Sequence, residues 1–231
     1  MNVLDTRTLR QVGGRLGSTP AGIYEDAQGR CFYVKTLESA AYARNELIAA
    51  RLYRLAGAPT LDYLATTQPH QVATTLIRLD KKRVSQLDET ERRQAQRWFA
   101  IHAWTANWDA AGFHGDNQGV ADGVVLTLDM GGALEFRAMG DPKGRAFGSH
   151  VGELDSLRHD PNNPFAVALF GDMDDVALRD AIRMVTQIPD HQIRQVIGEH
   201  GGSTALADKM VARKADMARR LAADDTHPCM A

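Results

Sequence analysis

The sequence is poor in the features that would tie it to several large protein classes. It holds only two cysteines, Cys31 and Cys229, near opposite ends of its 231 residues. Thiols so far apart form neither a disulfide framework nor a zinc cluster. Cys31 opens an apolar stretch and is expected to be a small buried residue. No apolar run approaches the roughly eighteen residues that cross a bilayer. The opening residues, MNVLDTRTLRQVGG, lack the apolar centre of a signal peptide. A cytoplasmic location is therefore the default expectation. Neither charge is in excess: 27 Lys+Arg face 29 Asp+Glu, a formal charge of -2. That balance gives no electrostatic basis for general nucleic-acid binding. No internal repeat is visible, and only a tail from about residue 223 reads as disordered.

What is present is a strand-rich first third followed by a helix-rich remainder. Residues 11–35 read as a β-hairpin, with DAQGR as its turn and CFYVK as its second strand. Residues 39–56 read as a helix capped by Ser39 and closed by Gly57, with Pro59 beyond. Residues 60–79 alternate weakly and hold a strand candidate, TTLIRL. Asp88 and Glu91 form a capping-box start for a helix running to about Trp104. Its Trp98, Phe99, Ile101 and Trp104 are expected to pack a core. Residues 133–163 look irregular, and helices are expected near 164–170, 174–187 (after Asp172), 190–200 and 204–222. The order implies an α+β chain of two lobes. The expected division is an N-lobe over 1–79 and a helical C-lobe over 80–231, with the boundary near 79–88.

The most informative stretch is NWDAAGFHGDNQGVADGVVLTLDMGG, residues 107–132. Asp109 sits in a loop, Asp116-Asn117 follows, and an apolar strand then delivers Asp129 ahead of Gly131-Gly132. Each acid alone reads as an ordinary turn residue. Together they supply what phosphoryl transfer needs: a carboxylate to position the attacking hydroxyl, and an amide oxygen and second carboxylate to hold a divalent cation on ATP phosphates. Asp109 and Asp116 both remain candidates for the base. His114 is given no role. With no Cys/His cluster, the hard oxygens of Asn117 and Asp129 suit Mg²⁺ or Mn²⁺.

Two upstream features fit the same chemistry. Lys35 ends the CFYVK strand, where a lysine is usually a solvated terminus. Glu46 changes that reading. At helical spacing it aligns with Tyr42, Ala49 and Tyr53, an apolar stripe in which an unpaired carboxylate is costly. Lys35 is its nearest upstream partner, and such a pair would aim the ammonium at ATP phosphates. Before it lies a glycine-rich segment with Gly14, Gly17 and Ser18, which is expected to cover phosphate through backbone N–H groups and a hydroxyl. It is not a Walker A loop, because no Gly-Lys-Ser/Thr follows. Arg137 and Lys143 are read as solvated loop charges. Glu153, Asp155, Asp160, Asp172, Asp174 and Asp175 form an acidic run that could receive a cationic substrate, though such runs are usually solvated surface.

The arrangement resembles the kinase-like superfamily that includes HipA-type bacterial kinases and phosphatidylinositol 3-/4-kinases. The resemblance covers about residues 13–132. It implies a protein-kinase-like fold, Asp109 as the catalytic acid, Asn117 and Asp129 as magnesium ligands, and Lys35 as the phosphate lysine paired with Glu46. The Asp109-to-Asn117 spacing is longer than usual there, and His-Arg-Asp and Ala-Pro-Glu motifs are absent. The size suits a minimal bacterial or phage-borne kinase acting as a toxin or effector. The expected acceptor is a protein Ser or Thr hydroxyl. The alternatives are an antibiotic-type small molecule and a nucleotide-binding pseudokinase.

Overall fold

The structure is a computed structural model that describes residues 3–80 and 82–226. Its first part is a five-stranded antiparallel sheet with one long helix. The strands are β1 (Arg10–Gly13), β2 (Ala21–Glu25), β3 (Cys31–Thr36), β4 (Tyr63–Ala65) and β5 (Gln71–Thr75), in the order β1-β2-β3-β5-β4. The β2–β3 hairpin turns where Asp26 accepts from the backbone N–H groups of Gln28 and Arg30. Gly29 there has a φ of 77°, a conformation that suits glycine. β3 is central, so its residues are fixed on both sides: Lys35 lies opposite Ala21 on β2 and Val72 on β5. The third strand was expected at TTLIRL. It instead begins three residues earlier, at Gln71, and shares only Thr74 and Thr75 with that stretch, because Val72, Ala73 and Thr74 supply the buried positions while Ile77 is 40% exposed. Cys31 is half-buried rather than buried.

Helix α1 (Ala40–Leu55) has the expected ends. The Ser39 hydroxyl accepts from the Tyr42 N–H, and Gly57 turns the chain with a φ of 81°. The single helix expected after Asp88 is two. The Asp88/Glu91 capping box starts α2 (Glu89–Arg97), and the chain then breaks at Trp98 into α3 (Phe99–Trp104). All six α3 residues are buried, so the break turns a largely apolar segment into the core, while α2 buries only Glu91 and Ala95. Phe99, Ile101 and Trp104 are fully buried and Trp98 partly so, as the sequence led us to expect.

β6 (Gln118–Ala121) and β7 (Val124–Thr127) form a two-stranded hairpin. Its turn is Asp122-Gly123, with φ values of 51° and 76°, the left-handed pair that a two-residue turn demands. The remaining helices are α4 (Glu153–His159), α5 (Pro164–Phe170), α6 (Asp175–Thr186), α7 (Asp190–Glu199) and α8 (Thr204–Thr226). α4 falls inside the segment that reads as irregular. Only Leu154 and Leu157 mark its apolar face, too few for a periodic signal. Asp174, not Asp172, caps α6, while Asp172 pairs with Arg92 at 2.6 Å. The tail expected from about 223 is helical through 226; residues 227–231 lie outside the described residues. The fold is a two-lobed α+β arrangement, a strand-rich small lobe beside a helical one.

The helical lobe is organised round a buried cation. Arg213 on α8 is 0% exposed. Its Nε donates to Trp104 O at 2.7 Å, and its Nη1 to Gly148 O at 2.7 Å and His150 O at 3.1 Å. Its Nη2 donates to Ala103 O at 2.7 Å and to Glu153 Oε2 at 2.8 Å. One guanidinium thus closes the C-terminal carbonyls of α3 and pins α4 to α8. Truncating Arg213 would strand the Glu153 carboxylate in the core. Arg213→Met should therefore cost about 3–5 kcal/mol of unfolding free energy. The double variant Arg213→Met/Glu153→Gln should lose less, and urea unfolding measures both. A single-variant loss below about 1 kcal/mol would show the pair to be dispensable.

Candidate active site

The expected residues converge on the junction between β3, α1 and the segment that leaves β7. Lys35 Nζ lies 3.1 Å from Glu46 Oε2 and 3.4 Å from its Oε1. The same ammonium donates to Asp129 Oδ1 at 2.9 Å. Lys35 and Glu46 side chains are 11% and 2% exposed, whereas Asp129 keeps 38% of its surface open. Asp129 Oδ1 also accepts from the Gly131 N–H at 2.8 Å. Gly131 has no room for a side chain, since a Cβ there would meet the Tyr42 hydroxyl at 2.8 Å and Glu46 Oε1 at 3.1 Å.

The electrostatics follow from one ammonium between two carboxylates. Burial works against the Lys35 charge, but Asp129 and Glu46 outweigh it and hold Lys35 well above its ordinary value. Burial also raises Asp129, and Lys35 together with the Gly131 N–H overcomes that and keeps it below the usual carboxylate range. Glu46 is the deeper acid. Burial pushes it up to about 7, against the pull of Lys35.

Asp109 and Asn117 form a second unit. Asn117 Nδ2 donates to Asp109 O at 2.7 Å and to Asp109 Oδ2 at 2.9 Å. With its nitrogen committed, Asn117 presents Oδ1 as its remaining polar atom, an oxygen suited to a hard cation. Gly112 makes the intervening turn with a φ of 83°, and a Cβ there would run into Asp116 Oδ1 at 2.5 Å. Asp116 is exposed beside that turn, and Asp109 is half-buried. Burial, and then the charge of Asp129, push Asp109 up to about 6, with the Asn117 hydrogen bond opposing. Among the described residues no group of three or more His, Cys, Asp or Glu could hold a metal ion unaided. A cation held by Asn117 and Asp129 would need further oxygens, which a bound phosphate supplies.

The glycine-rich segment joins β1 to β2. Gly14, Gly17 and Ser18 are exposed, and a Cβ on either glycine would meet nothing within 4 Å. Nothing in the folded chain itself requires glycine at these two places. Ser18, Thr19 and Pro20 line a cavity of about 320 Å³ with Thr36, Glu38 and Met139.

Several contributors were not legible in the sequence. Asn107, fully buried, donates to the Tyr53 hydroxyl at 3.1 Å and to Asp129 O at 3.4 Å. The same hydroxyl meets His102 Nδ1 at 2.7 Å, and burial drives His102 down to about 3, so this chain of groups is uncharged. Tyr63 and Tyr42 donate to Leu128 O at 3.0 Å and Ala138 O at 2.8 Å, holding the Asp129 segment from both sides. Lys143, expected in solvent, is 4% exposed; Arg137 lies over the Trp108 ring at 4.9 Å. The acidic run is largely engaged. Glu153 bonds Arg213 and Trp108, Asp155 pairs with Arg220, and Asp174 caps α6. A cationic substrate finds little free acid there.

Two outcomes follow. Lys35→Met and Glu46→Gln should couple in stability by about 0.5–3 kcal/mol, the double variant losing less than the sum. Strict additivity in urea unfolding would mean the two side chains do not interact. Asp109 gives a pH signature. Between about pH 3.8 and about 6 the folded chain keeps a proton that the unfolded chain has released. Its contribution to stability therefore falls as pH rises through that window and levels above it. The difference in urea midpoint between wild type and Asp109→Asn should trace that fall. A pH-independent difference would contradict it.

No protein-family model and no curated protein matches the chain. Among solved structures, the Helicobacter pylori proinflammatory kinase CtkA is similar over 99% of this chain and 100% of that one, with a TM-score of 0.66 and 13% identity. The macrolide 2'-phosphotransferase MphH from Brachybacterium faecium follows over 98% of this chain and 90% of that one, with a TM-score of 0.39 and 13% identity. The amicoumacin kinase hAmiN aligns over 94% of this chain and 90% of that one, with a TM-score of 0.42 and 8% identity. At such identity the CtkA likeness establishes a shared two-lobed, protein-kinase-like fold; the two weaker likenesses add nothing to it.

Proposed function

We propose that the chain is an ATP-dependent phosphotransferase acting on a hydroxyl acceptor, of the HipA-type and phosphatidylinositol-kinase-like sort that the sequence resembles. The observation that carries this reading is the single ammonium of Lys35, held between Glu46 at 3.1 Å and Asp129 at 2.9 Å. In the loop between α3 and β6 stands a second carboxylate, Asp109, oriented by Asn117 at 2.9 Å. A buried lysine anchored by an acid can meet phosphate charge without losing its place. The two unforced glycines, Gly14 and Gly17, leave room for a phosphate to approach the backbone.

In this mechanism Lys35 neutralises the nucleotide phosphates. Asn117 Oδ1 and Asp129 would hold Mg²⁺ or Mn²⁺, which when bound screens the charge of the transferring group. Asp109, ionised near neutrality, accepts the hydroxyl proton through a carboxylate already fixed by Asn117. The acceptor oxygen bonds to the terminal phosphorus as the bond to the leaving diphosphate breaks. A protein Ser or Thr hydroxyl is the acceptor we favour. Phe113, 84% exposed in the Asp109 loop, and Met139, 73% exposed after the Asp129 segment, offer apolar grip to an extended chain.

The test is ATP turnover by the purified chain, with phosphosites mapped by mass spectrometry after incubation with lysate. Asp109→Ala should lower transfer by about 10²–10⁴ while nucleotide binding persists. Asp129→Asn should weaken metal-dependent nucleotide binding, and Asp116→Ala should be the mildest. Phosphate appearing only on an added small alcohol such as an aminoglycoside would move the acceptor to the antibiotic class. Nucleotide binding without turnover under any condition would make the chain a pseudokinase. No nucleotide binding with either cation would sink the reading.

A further inference from the structure

Lys143 is buried, and nothing in the proposed chemistry uses it. It reaches the core because residues 135–143 fold back on themselves. Phe136 bridges Pro142, and the Lys143 N–H donates to Glu135 O at 2.8 Å. Its Nζ then meets three backbone carbonyls: Ala106 O at 2.7 Å, Gly132 O at 2.7 Å and Leu134 O at 2.9 Å. The ammonium also lies 4.7 Å from the centre of the Trp108 ring and 5.8 Å from that of Phe147. Among the described residues no carboxylate bonds it; the nearby acid, Glu153, is taken by Arg213 and Trp108.

The three carbonyls are not arbitrary ones. Ala106 precedes the Asn107-Trp108-Asp109 run, and Gly132 and Leu134 follow Asp129. Ala106 and Leu134 have φ values of 50° and 54°, and Asp122 is the only other described non-glycine residue with positive φ. Side-chain-bearing residues hold that conformation only when their surroundings over-determine it. Here both strained residues give their carbonyls to the same ammonium. The Leu134 N–H donates to Thr105 O at 2.6 Å, so the two segments also bond directly above the lysine.

We propose that Lys143 is a positioning residue: its ammonium locks the Asp109 loop and the Asp129 segment in one relative placement, as a bound metal ion would. The inference rests on the phosphotransferase reading for its catalytic consequence, but not for the lock itself. Burial pushes the Lys143 amine down to about 7, with Arg213 and Arg137 adding to the push and Glu153 opposing it. The three carbonyls pull the other way, because only an ammonium has three protons to donate. Methionine has similar length and no protons, so Lys143→Met removes the lock and leaves three buried carbonyls unpaired.

The experiment compares full-length wild type and Lys143→Met in three readouts. Amide exchange in peptides covering 103–109 and 130–136 should accelerate together, while α6 and α7 stay protected. The kcat for ATP hydrolysis should fall by about 10²-fold, the scale of a small misplacement of reacting groups. The dissociation constant for ATP should change far less, which a general loss of structure would not produce. Unchanged exchange with unchanged kcat would overturn the proposal, and so would equal losses in kcat and ATP binding. Should Lys143→Met fail to fold, nitrogen-15 NMR of wild-type lysine side chains at about pH 6 decides. An ammonium signal protected from exchange supports the lock; exchange as fast as a surface lysine refutes it. If wild type neither binds nor hydrolyses ATP, the functional reading fails. The exchange and NMR readouts then still judge the lock.

Discussion

One ammonium joins the two lobes. Lys35 comes from the central strand of the small lobe, Glu46 from the helix packed on that sheet, and Asp129 from the strand exit of the helical lobe. An ion pair on a protein surface would contribute little. Here Lys35 and Glu46 are buried and Asp129 is part-open, so each group depends on the others to remain charged: with Lys35 removed, two acids would face each other with no cation between them. Much of the local architecture serves to keep that from happening. β3 is held on both edges, so Lys35 cannot slip by a residue. α1 buries Tyr42, Ala49 and Tyr53 on the face that carries Glu46, so Glu46 cannot rotate out of line. Gly131 is bare because a side chain would push Tyr42 and Glu46 away.

The same economy of charge shows beneath the site. Lys143 and Arg213 are both buried cations that bond chiefly to backbone carbonyls at loop and helix ends. A carbonyl at a helix terminus or a strained turn has no partner within its own element. A buried cation with several donors can close more than one such group at once. In this chain that device replaces regular secondary structure where the proposed chemistry calls for loops. The residues that carry Asp109 and Asp129 have no ladder or helix to hold them. The hydrogen bonds of Lys143, Asn107, Tyr42 and Tyr63 stand in for one.

How far the sequence reveals this depends on periodicity. Glu46 could be picked out because it sits at helical spacing among Tyr42, Ala49 and Tyr53. Arg213 carries the same mark, in line with Leu206, Met210 and Met217, and could have been found by the same reasoning. Caps were legible at Ser39, Gly57 and Asp88 because capping is a local reaction of side chain with backbone. The break at Trp98 was not, since nothing in an apolar run says where it must turn to fill a core. α4 was hidden by its brevity. Lys143 was hidden for a deeper reason. It lies in GDPKGRAFG, a stretch without period, and only the fold-back through Phe136 and Pro142 brings it under the site.

The convergence of Asp109, Asn117 and Asp129 was readable for a different reason, which is chemical rather than periodic. An acid, an amide and an acid around one hairpin have no use in packing, and each would prefer water. Their order along the chain is conserved in space because β6 and β7 pair in register, Gln118 opposite Thr127, which returns Asp129 toward the level of Asn117. The hairpin is thus the short lever that converts sequence order into proximity. Its Asp122-Gly123 turn fixes the register, and a slip of one residue would exchange the two faces of β7 and move Asp129 off its bond with Lys35. The placement of the site therefore rests on a turn that touches none of its residues.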